Sequence, residues 1–141
     1  MGKKIYFAGS IRGGRADSEL YGKLIRHMQA EHTVLTEHVG DLALSLLERG
    51  RDGDSAIYEQ DTAWLRECDV VIAECTCPSL GVGYELAYAE RFGKPCHILY
   101  RRSAANLSAM LTGDPYFDVI PYETFEEAVA AVDAILNGDP A

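Results

Sequence analysis

Alternating strand-like and helix-like segments predict an α/β protein: a doubly wound domain with helices on both faces of a parallel sheet of about five strands. Three observations carry that expectation. Short apolar runs recur between amphipathic stretches along residues 1–141. The central run, CDVVIAEC at 68–75, is apolar on both faces, as a strand covered by helices on both sides must be. Glycine-rich segments, GSIRGGR at 9–15 and PSLGVG at 78–83, directly follow strand-like runs, which is where such sheets place their ligand crevice.

The elements follow in order. KKIYFAG (3–9) reads as a first strand, the breaker-rich SIRGGRAD as a loop, and about Ser18 to Glu31 as a helix. HTVLTEHV (32–39) is a second strand. GDLALSLLERGRDGD (40–54) is a loop or short helix leading into a helix over about Ser55 to Glu67. After the central strand comes a helix in GVGYELAYAERFGK, with Gly93 and Pro95 marking its end. PCHILY is a fourth strand, AANLSAMLTG a short helix, YFDVIPY a fifth strand, and ETFEEAVAAVDAILNG a closing helix that stops at Gly138. Right-handed crossovers then join parallel neighbours.

The totals suit one domain spanning 1–141, a length that buries roughly 68–70% of its unfolded surface. Apolar residues make up 48% and charged residues 25%, the balance of a globular protein. Thirteen Lys plus Arg against 22 Asp plus Glu leave a net charge of −9, which argues against a nucleic acid polymer or an anionic membrane as main partner. No run approaches the ~18 apolar residues of a membrane span. The start, MGKKIYFAGS, lacks an apolar leader segment, so the expected location is cytoplasmic. Cys68, Cys75, Cys77 and Cys96 form no C-x-x-C pair and are expected to be reduced core thiols, with no metal site implied.

Three features depart from plain patterning. With Ile57 at zero on a helical wheel, Trp64 falls at about −20°, Cys68 at about 20°, Asp61 at about 40° and Leu65 at about 80°. Asp61 therefore lies in the apolar stripe, where a carboxylate is costly without a partner. Either it occupies a wet edge or it works. Glu85 is expected in the first turn of its helix, where the dipole and free N–H groups would keep it ionised. That is either an ordinary N-terminal charge preference or a carboxylate facing the crevice. GSIRGGR fits neither common nucleotide-loop spacing; it is either a plain turn or a close-approach loop in which Ser10 and Arg12 donate to a polar ligand. Two carboxylates beside a donor-bearing, glycine-rich crevice are the minimum equipment for cleaving a glycosidic bond with retention.

IYFAGSIRGGR, VLTEHV, EQD, DVVIAE, PSLGVGYEL and LSAM, in unbroken order from about residue 4 to 113, closely resemble the 2'-deoxynucleoside 5'-phosphate N-hydrolases, members of the Rossmann-like nucleoside 2-deoxyribosyltransferase superfamily. The resemblance implies a homodimer, without cofactor, that hydrolyses a deoxynucleoside 5'-monophosphate to free base and 2-deoxyribose 5-phosphate through a glycosyl-Glu85 intermediate. Glu85 matches the nucleophile, Tyr6 the tyrosine that positions it, and Asp61 the acid that helps the base leave. Ser79 and Gly81 match phosphate contacts. Ser108 matches a phosphate contact reached from the partner subunit, with Ala109 and Met110 beside it. Gly9, Ser10, Ile11 and Arg12 match the wall around the nucleotide, and Tyr21 and His38 match positions near the base. Relatives that prefer ribonucleotides replace the first-strand tyrosine by phenylalanine, so Tyr6 favours the deoxy sugar. Cys75, Cys77 and Ala87 depart from the family pattern as packing changes.

Two other readings remain at this point. One is a base-exchanging deoxyribosyltransferase acting on unphosphorylated nucleosides. The other is a non-enzymatic nucleotide-binding module of the same architecture. A receiver-like version would need acidic groups where this chain has FAGS and AECT.

Overall fold

The computed structural model describes residues 2–10, 14–36, 50–104 and 106–138. Within them the order is β1 (Lys4–Gly9), α1 (Gly14–Gln29), β2 (Thr33–Val34), α2 (Gly50–Glu67), β3 (Val70–Glu74), α3 (Leu80–Arg91), β4 (Cys96–Arg101), α4 (Ala109–Thr112), β5 (Asp118–Tyr122) and α5 (Phe125–Asn137). The strands form one sheet in the order β2-β1-β3-β4-β5, and every pairing is parallel. The expected α/β architecture and five-stranded parallel sheet are borne out.

Side chains alternate across the sheet because successive Cβ atoms of a strand point to opposite faces. Ile5 and Phe7 of β1, with Val70 and Ile72 of β3, pack under α1 and α5 against Tyr21, Leu24, Met28, Val132 and Leu136. Tyr6 and Ala8, with Val71 and Ala73, face α2 and α3 and meet Leu65, Cys68, Val82 and Leu86. Burying each of these larger side chains contributes about 1.5–3 kcal/mol. The same parity that builds two cores sends the Tyr6 phenol toward α2 and α3. All five residues of β3 are buried, in keeping with its place at the centre of the sheet.

Of the expected second strand, 37–39 lie outside the described residues. Among the described ones Thr33 and Val34 pair with β1; two residues later the Thr36 hydroxyl takes over, accepting from Phe7 N–H at 2.9 Å and donating to Phe7 C=O at 2.7 Å. A side chain thus satisfies the edge that further backbone would otherwise pair. Most of the expected loop or short helix over 40–54 lies outside the described residues.

Local signals set the helix ends. Ser79 caps α3, its Oγ accepting from Val82 N–H at 3.2 Å, and Gly93 follows the helix with φ +71°, where a Cβ would be strained. Thr124 and Glu127 close a reciprocal capping box at the start of α5. Cys68, Cys75 and Cys96 are buried free thiols, while Cys77 is only partly buried.

Strand order reverses between β1 and β3: the chain leaves β1 toward β2 and later returns to place β3 on its other side. In such sheets the crevice opens at the carboxyl ends of those two strands. The loop after β3 and the N-terminus of α3 border it.

Candidate active site

A cleft of about 280 Å3 lies there, bounded by β1, α2 and the first turns of α3. Most of its lining is apolar: Phe7 and Ala8 from β1, Ile57, Trp64 and Leu65 from α2, and Val82 from α3. Among its polar lining are the phenol of Tyr6 and the carboxyls of Asp61 and Glu85. The helical stripe that brings Ile57, Trp64 and Leu65 to the sheet also carries Asp61 to the cleft wall.

The Tyr6 hydroxyl donates a short hydrogen bond to Glu85 Oε2. Tyr6 is 1% exposed, and burial together with the two carboxylates raises its pKa far above the ordinary phenol value. It therefore stays a neutral donor. Burial lifts the Glu85 carboxyl to about 7; the Tyr6 bond opposes that rise and the nearby Asp61 charge adds to it. Burial alone lifts Asp61 to about 6. Two carboxyls with titrations raised by burial in one cleft are an arrangement that acid–base and nucleophilic chemistry uses.

Glu85 sits elsewhere on its helix than the sequence suggests. Because Ser79 starts α3 at Leu80, Glu85 is the sixth helical residue, in the second turn, and the first turn holds no acidic group. The expectation that free N–H groups keep it ionised is overturned; desolvation dominates and holds it above the usual carboxylate range. The first-turn N–H groups, which lack intrahelical acceptors, instead lie at the rim beside Ser79 and Gly81, both of which line the cleft. A Cβ at Gly81 would meet nothing nearer than Ser79 Oγ at 3.8 Å, and one at Gly83 nothing within 4 Å. Packing does not demand these glycines, and the rim is open.

The other expected residues divide into groups. Gly9 lines the cleft, but the reason for glycine is behind it: an added Cβ would lie 2.7 Å from the Tyr21 ring. Ser10 is buried at the end of β1. Tyr21, expected near the base, packs edge-on against Phe7 with ring centroids 5.6 Å apart, in the core under the opposite face of the sheet. The apolar stripe of α1, Tyr21 with Leu24, Ile25 and Met28, faces the sheet and takes it there. Ser108 and Met110 border a separate groove of about 590 Å3 between α3 and α4. Ser79 and Val82 are walls of both cavities. Ala109, the first residue of α4, is exposed. Ile11, Arg12 and His38 lie outside the described residues.

Tyr58 and Tyr84 also line the cleft, and the sequence reading did not single them out. Their rings meet edge-on with centroids 6.2 Å apart, and they are 52% and 55% exposed. Adjacency was the available signal: Tyr84 precedes Glu85, and Tyr58 precedes Asp61 by three residues. Among the described residues no group of three His, Cys, Asp or Glu side chains is placed to hold a metal ion.

Comparison with known proteins bears on this cleft. A family model described as nucleoside 2-deoxyribosyltransferase matches residues 5–129. A 5-hydroxymethyl-dUMP N-hydrolase of Rattus norvegicus is 45% identical over 135 residues, covering 94% of this chain and 82% of that protein. A protein of the bacterium Syntrophotalea carbinolica, provisionally named 2'-deoxynucleoside 5'-phosphate N-hydrolase 1, is 42% identical over 125 residues, covering 88% of this chain and 87% of its own. Among solved structures, a Clostridium botulinum CMP N-glycosidase superposes with a TM-score of 0.64 at 18% identity, covering 93% of this chain and 99% of that one. At that identity the likeness speaks for the fold.

Proposed function

We propose that this chain, which belongs to the nucleoside 2-deoxyribosyltransferase family, is an N-glycosidase that hydrolyses 2'-deoxynucleoside 5'-monophosphates to free base and 2-deoxyribose 5-phosphate. The observation that carries the reading is the part-buried Tyr6 to Glu85 hydrogen bond in the cleft that Asp61 also lines, among mostly apolar walls. Relatives named as deoxynucleotide N-hydrolases over most of the chain support the substrate class.

Each residue then has a task. Tyr6 occupies Glu85 Oε2 and leaves Oε1 to attack C1'. As the bond from C1' to the base breaks, its electron pair goes to the base nitrogen and Asp61 supplies the proton, giving a glycosyl ester on Glu85 and free base. Water then attacks C1', the ionised Asp61 takes its proton, and Glu85 leaves as carboxylate. The positive charge that develops on the sugar favours ionised Glu85, so substrate draws the shared proton toward Asp61. Ser79 and the N–H groups at Leu80 and Gly81 face the 5'-phosphate, where helix dipole and free donors favour an anion. Ile57 and Trp64 offer apolar surface to the base.

A homodimer in which Ser108 completes the neighbouring site is part of the same proposal. Supporting it, Leu80 and Met110 are 97% and 80% exposed beside the groove that holds Ser108 and Ser79. Mixing Glu85→Ala with Ser108→Ala subunits should then restore one intact site per heterodimer. No described helix is long and apolar enough to cross a membrane; the cytoplasm is the location we assign.

The deciding experiment incubates the protein with dGMP, 5-hydroxymethyl-dUMP and the corresponding ribonucleotides and scores released base by chromatography, with Glu85→Ala as control. Base released from deoxynucleotides only by the wild type supports the reading. Nucleotide bound but left intact would refute it. The family's name keeps a second outcome in view: efficient exchange into added free adenine would make the acceptor a base instead of water.

A further inference from the structure

Behind the cleft, on the α1 and α5 side of the sheet, lies a buried carboxylate that the proposed chemistry does not use. Glu74 ends β3 and is 1% exposed. Alternation along the strand sends its side chain the same way as Val70 and Ile72, away from Glu85. Its Oε1 accepts from Thr76 N–H at 2.8 Å, and its Oε2 accepts from Thr76 Oγ1 at 2.6 Å and from the Tyr122 hydroxyl of β5. Thr76 Oγ1 in turn accepts from Arg101 N–H of β4 at 2.8 Å.

A strand end that needed only to be buried would do so at lower cost with an apolar side chain, since a buried carboxylate is tolerated only when its oxygens are satisfied. The bonds point to a different use. Past Cys75, whose N–H still reaches Leu99 C=O at 2.9 Å, the chain leaves the ladder and crosses to the other face to start α3 at Ser79. Among the described residues, the backbone of this crossing is held to the sheet through Thr76, and Thr76 is held by Glu74. The segment so fixed delivers Ser79 and Gly81 to the cleft rim.

We infer that Glu74, acting through Thr76 and braced by Tyr122, is a positioning residue for the turn that reads the substrate phosphate. This rests on the functional reading above, in which Ser79 and Gly81 meet the 5'-phosphate. Glu74 touches no substrate. It sets where the first N–H groups of α3 lie, so its loss should weaken recognition of the phosphate far more than the Glu85 and Asp61 chemistry, which β1, α2 and the second turn of α3 hold independently.

The test compares kcat/KM for dGMP and deoxyguanosine in the wild type, Glu74→Gln, Thr76→Val and Thr76→Ser. Glu74→Gln and Thr76→Val should lose about ten- to a hundredfold on dGMP, chiefly through KM, while deoxyguanosine turnover falls much less, so the preference for the nucleotide shrinks. Thr76→Ser keeps both donors and should retain that preference. A merely structural role would lower both substrates by the same factor. If the wild type prefers dGMP and both disruptive variants keep that preference in full, the inference is overturned while the N-glycosidase reading stands. If the wild type shows no preference, the phosphate site itself is misassigned and the inference falls with it. Should Glu74→Gln fail to fold, the Thr76→Val and Thr76→Ser pair decides.

Discussion

Replacing Glu85 by glutamine is expected to stabilise the protein at alkaline pH while removing its activity. The wild-type carboxyl rises from an ordinary 4.5 to about 7 on folding, chiefly through burial. At ~1.4 kcal/mol per pH unit this is a penalty of about 3 kcal/mol once pH exceeds both values. A raised acid binds its proton more tightly folded than unfolded, so its contribution to stability is greatest below about pH 4.5 and is lost as pH climbs through 7. Between pH 5 and pH 8 the single-site relation gives a change of about 2.5 kcal/mol. Glutamine does not titrate, and whatever its amide costs by lacking a partner is the same at both pH values and cancels in the comparison. Urea unfolding followed by circular dichroism at about pH 5 and pH 8 measures the effect: the variant should gain about 2.5 kcal/mol on the wild type between the two. An equal stability difference at both pH values would mean that Glu85 is not desolvated, and the reasoning about this cleft would be wrong.

Three further substitutions probe the same groups. Tyr6→Phe removes a hydrogen bond to a charged group, worth about 1.5–3 kcal/mol, so kcat should fall about ten- to a hundredfold. Because that bond lowers the Glu85 pKa, the acid limb of the rate profile should move to higher pH. Asp61→Asn should cost about 10²–10⁴ in rate and abolish the alkaline limb; without the neighbouring charge Glu85 ionises more easily, so the acid limb moves down, as a profile of kcat/KM against pH would record. Ser79→Ala should destabilise α3 by about 1 kcal/mol through loss of its cap, seen in the urea midpoint, and should raise KM for dGMP more than for deoxyguanosine.

Much of the architecture was readable from local patterns, because strand parity and helical periodicity are local properties of the chain. The alternation of segments implies the parallel sheet, and the stripe through Ile57, Trp64, Leu65 and Cys68 places Asp61 among apolar neighbours by periodicity alone. Resemblance to the family was equally legible in contiguous blocks such as PSLGVGYEL, and the family match bears it out. The bonding of Thr36 was not, because there a threonine side chain takes the place of the backbone ladder. The packing of Tyr21 is not legible either, because nothing local distinguishes a tyrosine beside a ligand from one pressed against a glycine on the other face. Glu74 was read as part of an apolar strand because its bond to Tyr122 spans 48 residues, beyond any window of periodicity.

Glu85 shows most clearly where pattern stops and tertiary structure begins. The segment PSLGVGYEL admits a helix whose first residue is Leu80 or Gly83, and that shift of three residues moves the carboxylate from a solvated first turn to a desolvated second one. The cap bond from Val82 to Ser79 selects the earlier start, which separates two tasks that the sequence reading had merged. The dipole and free N–H groups of α3 serve the rim, where the proposed phosphate binds, while Glu85 is left to an apolar floor that resists its charge. A carboxylate stabilised by a helix terminus would be a comfortable anion and a weaker nucleophile. In the proposed mechanism, one held at about 7 by burial and steadied by a single phenol is drawn into its charged form by the cation developing at C1'. The prediction for Glu85→Gln follows from the same separation: the charge that burial disfavours is absent from the variant, so its stability relative to the wild type rises as pH climbs through about 7.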